Sequence, residues 1–192
     1  MAVQDTEAFH YVPVTLDFAT LNPRSPELLA VLAKVRDNWF NTFDWDLENL
    51  DTIDITLKPI EDGLTNHLYS CWPNRIPDDK LVIRINGSKS QEEFIDRTLE
   101  MNIMLQMSEK GLGPRIYARF ENGLCYEFIG GGDVTIQEVR LDPLVEQIAA
   151  KMALMHSIGY NTSAKQAKML QRLQYYLDSI PDSYFSDSKY QE

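Results

Sequence analysis

An arginine stands within an otherwise aliphatic segment, Leu81–Ile85, which predicts a buried strand. A guanidinium beside a buried sheet needs a partner, because an unpaired buried charge is costly. One interpretation is that Arg84 lies at an edge and extends to water. The other is that Arg84 holds a bound anion and is steadied by a carboxylate, for which Glu100 is the candidate. The residues alone leave both interpretations open.

A turn-rich segment, Glu61–Asn66, separates two predicted strands and contains groups suited to contact phosphate. A glycine, here Gly63, followed by Thr65 and Asn66 can present backbone N–H groups and short side-chain donors to phosphate oxygens. The alternative is an ordinary hairpin loop, in which asparagine and threonine make local turns. A single glycine does not distinguish the two interpretations.

A predicted strand that ends at Tyr126–Ile129 is followed by three glycines, Gly130–Gly132. Such a flexible crossover is a natural hinge between two structural halves. The backbone groups of a hinge strand can bind the edge of a planar base. The alternative is a simple linker between domains, and the glycines are compatible with both.

Metal chemistry is not indicated by the remaining candidates. His10, His67 and His156 share no ligand spacing, so we expect no metal site in the chain. Cys71 and Cys125 are far apart and form no CxxC motif, which favours a reducing compartment.

Composition limits the possible partners. The chain has 192 residues, 44% of them hydrophobic, and a formal net charge of −11, which disfavours binding to phosphate backbones and anionic lipids. No apolar run approaches the roughly 20 residues that span a bilayer. The amino-terminal residues resemble no secretory signal. We therefore expect a soluble, cytoplasmic protein that neither binds nucleic acid nor inserts into a membrane.

The elements that would position these residues follow from periodicity and turn signals. Five strands are predicted at Ile53–Leu57, Leu68–Trp72, Lys80–Ile85, Ile116–Phe120 and Leu124–Ile129. A capping box at Ser90–Glu93 predicts the start of a long helix that contains Glu100, and Gly111 in a left-handed conformation ends it. Asn122 and Gly123 predict a tight hairpin with positive φ angles. This order predicts an α+β fold, a five-stranded antiparallel sheet with one long helix packed across it.

Helices are predicted before and after this sheet region in the sequence. Ser25, Pro26 and Glu27 predict a helix start, after an extended and irregular lead-in that reaches about Pro23. After the glycines, Thr135–Glu138 is a second capping box, and helices are predicted at about 144–158 and 164–180. The 144–158 helix is apolar around much of its circumference, a pattern typical of buried helices, yet little chain remains to cover it. We therefore expect a domain that is cut short.

The order of these features resembles the N-terminal lobe of a protein-kinase-like fold, although no G-x-G-x-x-G or V-A-I-K string is present. Four short sequence segments are similar to the choline/ethanolamine kinase family, and to its ethanolamine branch in particular. They are Asp62–Leu68, Leu81–Gly87, Ile95–Arg97 and, above all, Asn122–Ile129. The resemblance implies three regions: an N-terminal extension and helix (1–50), a kinase-like nucleotide-binding lobe (51–132) and an incomplete helical C-lobe (133–192).

The resemblance also implies roles for individual residues. ATP would be bound by Gly63, Thr65, Asn66, Arg84, Glu100, Glu127 and Ile129. The first three would line the phosphates, and Arg84 would take the part of the phosphate-holding strand lysine, with Glu100 as its helix partner. Glu127 and Ile129 would offer hinge backbone groups to adenine. The implied reaction transfers the γ-phosphoryl group of ATP to ethanolamine, the first step toward phosphatidylethanolamine.

The catalytic parts of this family lie in a second lobe and have no match here. After the predicted hinge, the only histidine is His156, and no aspartate has an asparagine five residues later, as an H-x-D-x-x-x-x-N loop requires. Phosphoryl transfer needs a positioned nucleophile and metal ions that neutralise charge. We therefore expect the catalytic residues and the magnesium ligands beyond Glu192, and no kinase activity from this chain alone.

Two alternatives stay open. The first is choline kinase, which shares the family. The second is a non-catalytic interaction module, for which the exposed apolar faces of the 144–158 helix would be the interface. The expected partners of the full-length protein are ATP and ethanolamine, and a homodimer is a further expectation.

Overall fold

A six-stranded sheet organises the first of two units in the computed structural model, which describes residues 9–60, 66–87, 96–158 and 169–180. Its strands are β1 (His10–Val12), β2 (Ile55–Ile60), β3 (Asn66–Pro73), β4 (Leu81–Asn86), β5 (Ile116–Phe120) and β6 (Gly123–Glu127). They are arranged in the order β1-β5-β6-β4-β3-β2. β1 is parallel to β5, and all other neighbours are antiparallel. The predicted α+β class is confirmed, and the five predicted strands are present with small shifts of their ends.

The sixth strand lies in the lead-in that we predicted to be irregular. β1 has only three residues, too few for an alternating pattern to show in the sequence. Its partner is more than a hundred residues away: His10 is opposite Ala118, and Val12 is opposite Phe120. The connection continues beyond the strand, since Asn122 donates to the Leu16 carbonyl at 2.8 Å and accepts from its N–H at 3.0 Å.

Two helices cover one face of the sheet. α1 (Pro26–Val35) starts as predicted with Ser25 at the N-cap and proline in its first turn, but the Ser25 hydroxyl accepts from Asn22 rather than capping the helix. The apolar face that we predicted to run on to Trp39 is broken at Arg36, and α2 (Asp37–Phe43) follows. The buried residues of this layer include Leu28, Leu29, Leu32 and Trp39 from the helices and Cys71, Ile83, Ile85, Phe120 and Cys125 from the sheet.

The opposite face is packed against α3 (Arg97–Glu109), the helix that contains Glu100. Met101 is buried there with Ile116 and Leu124. The predicted start of this helix at Ser90 is wrong, because Asp96 has extended backbone and its carboxylate accepts from the Leu99 N–H at 3.0 Å. The capping box at Ser90–Glu93 itself lies outside the described residues.

The turns at both ends of β5 are informative. Before it, Gly111 has a φ of +65°, its N–H donates to Ser108, and the Leu112 N–H donates to Met107, which confirms the predicted glycine termination of α3. After it, the hairpin predicted at Asn122 and Gly123 is confirmed, but neither residue has a positive φ. Gly123 is needed for another reason, since a Cβ there would lie 2.0 Å from the Arg84 carbonyl oxygen.

The remaining described elements are helical. The capping box at Thr135 and Glu138 is confirmed, with reciprocal hydrogen bonds between the two residues, and opens a short 3-10 turn. α4 (Asp142–Ser157) follows, and none of its residues is buried within the described part of the chain. The second unit contains α5 (Met169–Asp178). Among the described helices, none combines the length and the apolar character that crossing a bilayer demands.

Candidate functional site

Arg84 is a buried cation on the face of the sheet that α3 covers. Side chains alternate along a strand, so Val82, Arg84 and Asn86 of β4 share this face. Only 7% of the Arg84 surface is exposed. The interpretation in which Arg84 extends from an edge into water is therefore wrong, because β4 lies inside the sheet between β3 and β6.

The partner of Arg84 is the carboxylate that we proposed from the sequence. Arg84 Nη2 lies 2.6 Å from Glu100 Oε1 and 3.4 Å from the Asn86 amide oxygen, and Nη1 lies 3.6 Å from Met104 Sδ. The Arg84 Nε is buried and has no acceptor among the described residues. A guanidinium has five N–H donors, so this one is only partly satisfied by the protein.

Glu100 is held in its charged form by two arginines. Burial raises the pKa of its carboxyl, but hydrogen bonds from Arg84 and Arg97 outweigh burial and keep the pKa below its ordinary value. Arg97 Nη1 lies 3.0 Å from the second oxygen of Glu100. At neutral pH the cluster therefore holds two cations against one anion.

The end of the sheet beside Arg84 also holds Asn66. Asn66 begins β3 directly opposite Asn86, and Leu68 is opposite Arg84. Asn66 and Arg84 consequently lie on the same face, at the end of the sheet where the 61–65 segment joins β2 to β3. The predicted phosphate contacts Gly63 and Thr65 belong to that segment and lie outside the described residues.

The predicted hinge lies at the other end of the sheet, and the Glu127 side chain shares the face of Leu81, opposite to the face of Arg84. Glu127 ends β6 opposite Leu81, three residues and about 10 Å along β4 from Arg84. The Glu127 N–H already donates to the Arg115 carbonyl at 2.9 Å, and its side chain accepts from the Arg115 N–H. Any backbone contact from Glu127 to a base must therefore come from its carbonyl. Ile129, two residues further on, is 64% exposed.

A row of neighbouring side chains lies between Arg84 and the hinge. Ser70 and Val82 are directly opposite each other on β3 and β4, and each is 6% exposed. Tyr126 continues the same row on β6. Burial, the largest effect, raises the pKa of its phenol. This part of the face offers a small, mostly apolar surface between the exposed hinge and the buried cation.

Two contributors to the site were not predicted from the sequence. Asn86 could have been found, since it lies two residues after Arg84 and therefore on the same face of the strand. Arg97 is three residues before Glu100, a spacing that pairs side chains on a helix, but its role depends on knowing where the helix begins. Among the described residues, no group of three or more histidine, cysteine or acidic side chains is placed to hold a metal ion.

Five antiparallel strands, a cation on the third of them and a helix glutamate paired with it are the arrangement of the N-terminal lobe of a protein-kinase-like fold. Two solved structures share this architecture. Choline kinase from Cryptosporidium parvum Iowa II has a TM-score of 0.56 and 22% identity, covering 81% of this chain and 44% of that one. Plasmodium vivax ethanolamine kinase has a TM-score of 0.53 and 20% identity, covering 85% and 40%.

The family model described as choline/ethanolamine kinase matches residues 57–192, and the chain belongs to this family. Ethanolamine kinase 1 from Mus musculus is 29% identical over 161 residues, which are 83% of this chain and 41% of that protein. The chain thus spans about two fifths of the length of this relative.

Proposed function

We propose that this chain forms the nucleotide-binding half of an ethanolamine kinase, which transfers the γ-phosphoryl group of ATP to the hydroxyl of ethanolamine. The observation that carries the proposal is the partly buried Arg84–Glu100 ion pair, 2.6 Å long, with one Arg84 donor left without an acceptor among the described residues. A partly satisfied guanidinium at the end of a sheet face is suited to stabilise phosphate charge.

Each of the proposed ATP-binding residues has a place in this scheme. Gly63, Thr65 and Asn66 would surround the phosphates. Arg84 would neutralise them, with Glu100 fixing its orientation. The Glu127 carbonyl and the Ile129 N–H would bind the adenine edge. Asn66 and Arg84 share one face, and the hinge follows the opposite end of the neighbouring strand β6, which supports a single extended ligand.

Magnesium does not fit the described part of the chain, which offers no group of three or more metal-ligating side chains. The sequence also contains no H-x-D-x-x-x-x-N loop after the hinge. We therefore expect that the 192-residue chain, given ATP, magnesium and ethanolamine, forms no phosphoethanolamine. Formation of phosphoethanolamine by the purified chain would contradict this expectation.

Nucleotide binding is the direct test of the proposal. We expect ATP to bind the chain in isothermal titration, and R84Q to weaken binding by about tenfold or more, because a charged hydrogen bond to phosphate is lost. R119Q is the matched control: it removes an equal charge from an exposed residue on β5 and should change the affinity by less than about twofold. Equal affinity of R84Q and the unmodified chain would contradict the proposal, as would the absence of ATP binding.

Choline is the alternative substrate. The ethanolamine assignment is supported by the similarity to ethanolamine kinases and by the Asn122–Ile129 segment. The solved structures do not separate the two, since one is a choline kinase and the other an ethanolamine kinase. In a longer protein that contains this chain and both lobes, ethanolamine should compete effectively against choline for phosphorylation. Preference for choline would reverse the assignment.

An interaction module is a second candidate function, favoured by the exposure of α4. Val145, Met152 and Leu154 are 44–49% exposed, and a groove of about 550 Å³ lies between α4 and the end of α3. The occupant consistent with this candidate is a longer member of the same family. A monodisperse monomer in sedimentation, with no binding to a full-length ethanolamine kinase, would count against it.

A further inference from the structure

Glu100 contacts two arginines, one on each oxygen. Arg84 Nη2 donates to Oε1 at 2.6 Å, and Arg97 Nη1 donates to Oε2 at 3.0 Å. The first contact is part of the proposed ATP site. The second is local to α3, since Arg97 and Glu100 are three residues apart on the same helical face.

The position of Arg97 is unfavourable for the helix itself. It is the first residue of α3, where the helix dipole favours anions and disfavours cations. Its Nε and Nη2 atoms are buried without an acceptor among the described residues, which adds a desolvation cost. Glu100 is its one hydrogen-bond partner in that part of the chain. The contact with Glu100 is therefore what offsets these costs.

Glu100 also has room to leave Arg84. Its side chain is 30% exposed, compared with 9% for Arg84 and 20% for Arg97. A cavity of about 320 Å³ lies beside the pair, between α3 and the β5–β6 hairpin, and both Glu100 and Arg97 line it. A glutamate side chain has considerable rotamer freedom, so one contact through Oε1 would leave much of that freedom in place. A second contact through Oε2 removes that rotamer freedom.

We propose that Arg97 is a positioning residue that fixes the Glu100 carboxylate with Oε1 facing Arg84 and leaves the cluster with one positive charge in excess. The first part depends only on the contacts within α3 and β4. The second part rests on the proposed function, since the excess charge would act on the phosphates of ATP.

The first test measures the pKa of Glu100 in the 192-residue chain by carbon-13 NMR of its carboxyl, identified with E100Q. R97Q should raise this pKa toward the ordinary carboxyl value, whereas R97K, which keeps a charged donor, should leave it near that of the unmodified chain. If R97Q does not fold, R97M takes its place, because it keeps the apolar stem of the side chain, and it should also raise the pKa of Glu100. R119Q removes a charge from the same cavity without touching Glu100 and should have little effect.

The second test measures ATP affinity of the same variants. R97Q should raise the Kd by about five- to tenfold and R97K by less, because both orientation and charge are lost only in the former. An unchanged Glu100 pKa in R97Q and R97M would overturn the inference even if ATP binds normally. A raised pKa in a chain that binds no ATP would uphold the positioning of Glu100 and would instead overturn the proposed function.

Discussion

Among single residues, the Arg84–Glu100 pair connects β4 of the sheet to α3 through an ion pair. Removing Glu100 from this pair is costly, because it leaves the buried Arg84 charge without its carboxylate partner. Glu100 has a lowered pKa, so it binds protons less readily in the folded chain than in the unfolded chain. Its contribution to stability is present above the unfolded pKa and is lost as the pH falls through the folded pKa.

We therefore expect E100Q to reduce the acid sensitivity of folding. Urea denaturation followed between pH 6 and pH 3 should show a smaller loss of stability for E100Q than for the unmodified chain. E109Q, which changes an exposed carboxylate at the other end of α3, is the control. It should lose as much stability between pH 6 and pH 3 as the unmodified chain. If E100Q loses as much stability as the unmodified chain, the ion pair contributes nothing to folding.

The elements depend on close backbone contacts that the side-chain pattern does not reveal. Gly123 begins β6 where that strand meets β4, and a Cβ added there would lie 2.0 Å from the Arg84 carbonyl oxygen and 2.5 Å from the Phe120 ring. Both neighbours are held in place, the first as strand backbone and the second as a fully buried side chain. The strand that carries Arg84 thus requires glycine beside it.

G123A should destabilise the chain by about 2 kcal/mol or more, because the clash must be relieved by separating β4 from β6. Thermal or urea unfolding measures the change. G130A is the control, since a Cβ at that position meets nothing within 4 Å. A stability equal to that of the unmodified chain would show that β6 can shift without cost.

Local signals in the sequence were sufficient for much of the sheet and for the central pair. The aliphatic run around Arg84 predicted a strand, and the Asn122-Gly123 turn predicted the hairpin, because both are encoded by adjacent residues. The start of α3 at Asp96 was missed, since a capping box earlier in the chain gave a competing signal. The backbone of Glu127 was expected to be available to adenine, but its N–H donates to Arg115, and that bond depends on the register between β5 and β6. Neither could be predicted without the tertiary arrangement.

At the scale of the whole molecule, the Asn122 amide is one of the groups that attach the lead-in to α1 to the β5–β6 hairpin, beside the pairing of β1 with β5. Asn122 both donates to and accepts from the backbone of Leu16, in a partly buried setting. N122A should lower the free energy of unfolding by about 1–3 kcal/mol and should increase hydrogen exchange at residues 10–16. N102A, an exposed change on α3, is the control. Unchanged protection of the lead-in would show that β1 and the Glu121–Val14 backbone hydrogen bond hold it without Asn122.

The parallel pairing of His10–Val12 with β5 imposes an order of events on a chain that is made from its amino end. The first strand cannot find its place until Phe120 has been synthesised, so it waits unpaired while the antiparallel strands between them assemble. Closing so large a loop is slow compared with forming a hairpin. Of the six strands, the one that is made first is therefore the one whose pairing closes the longest loop.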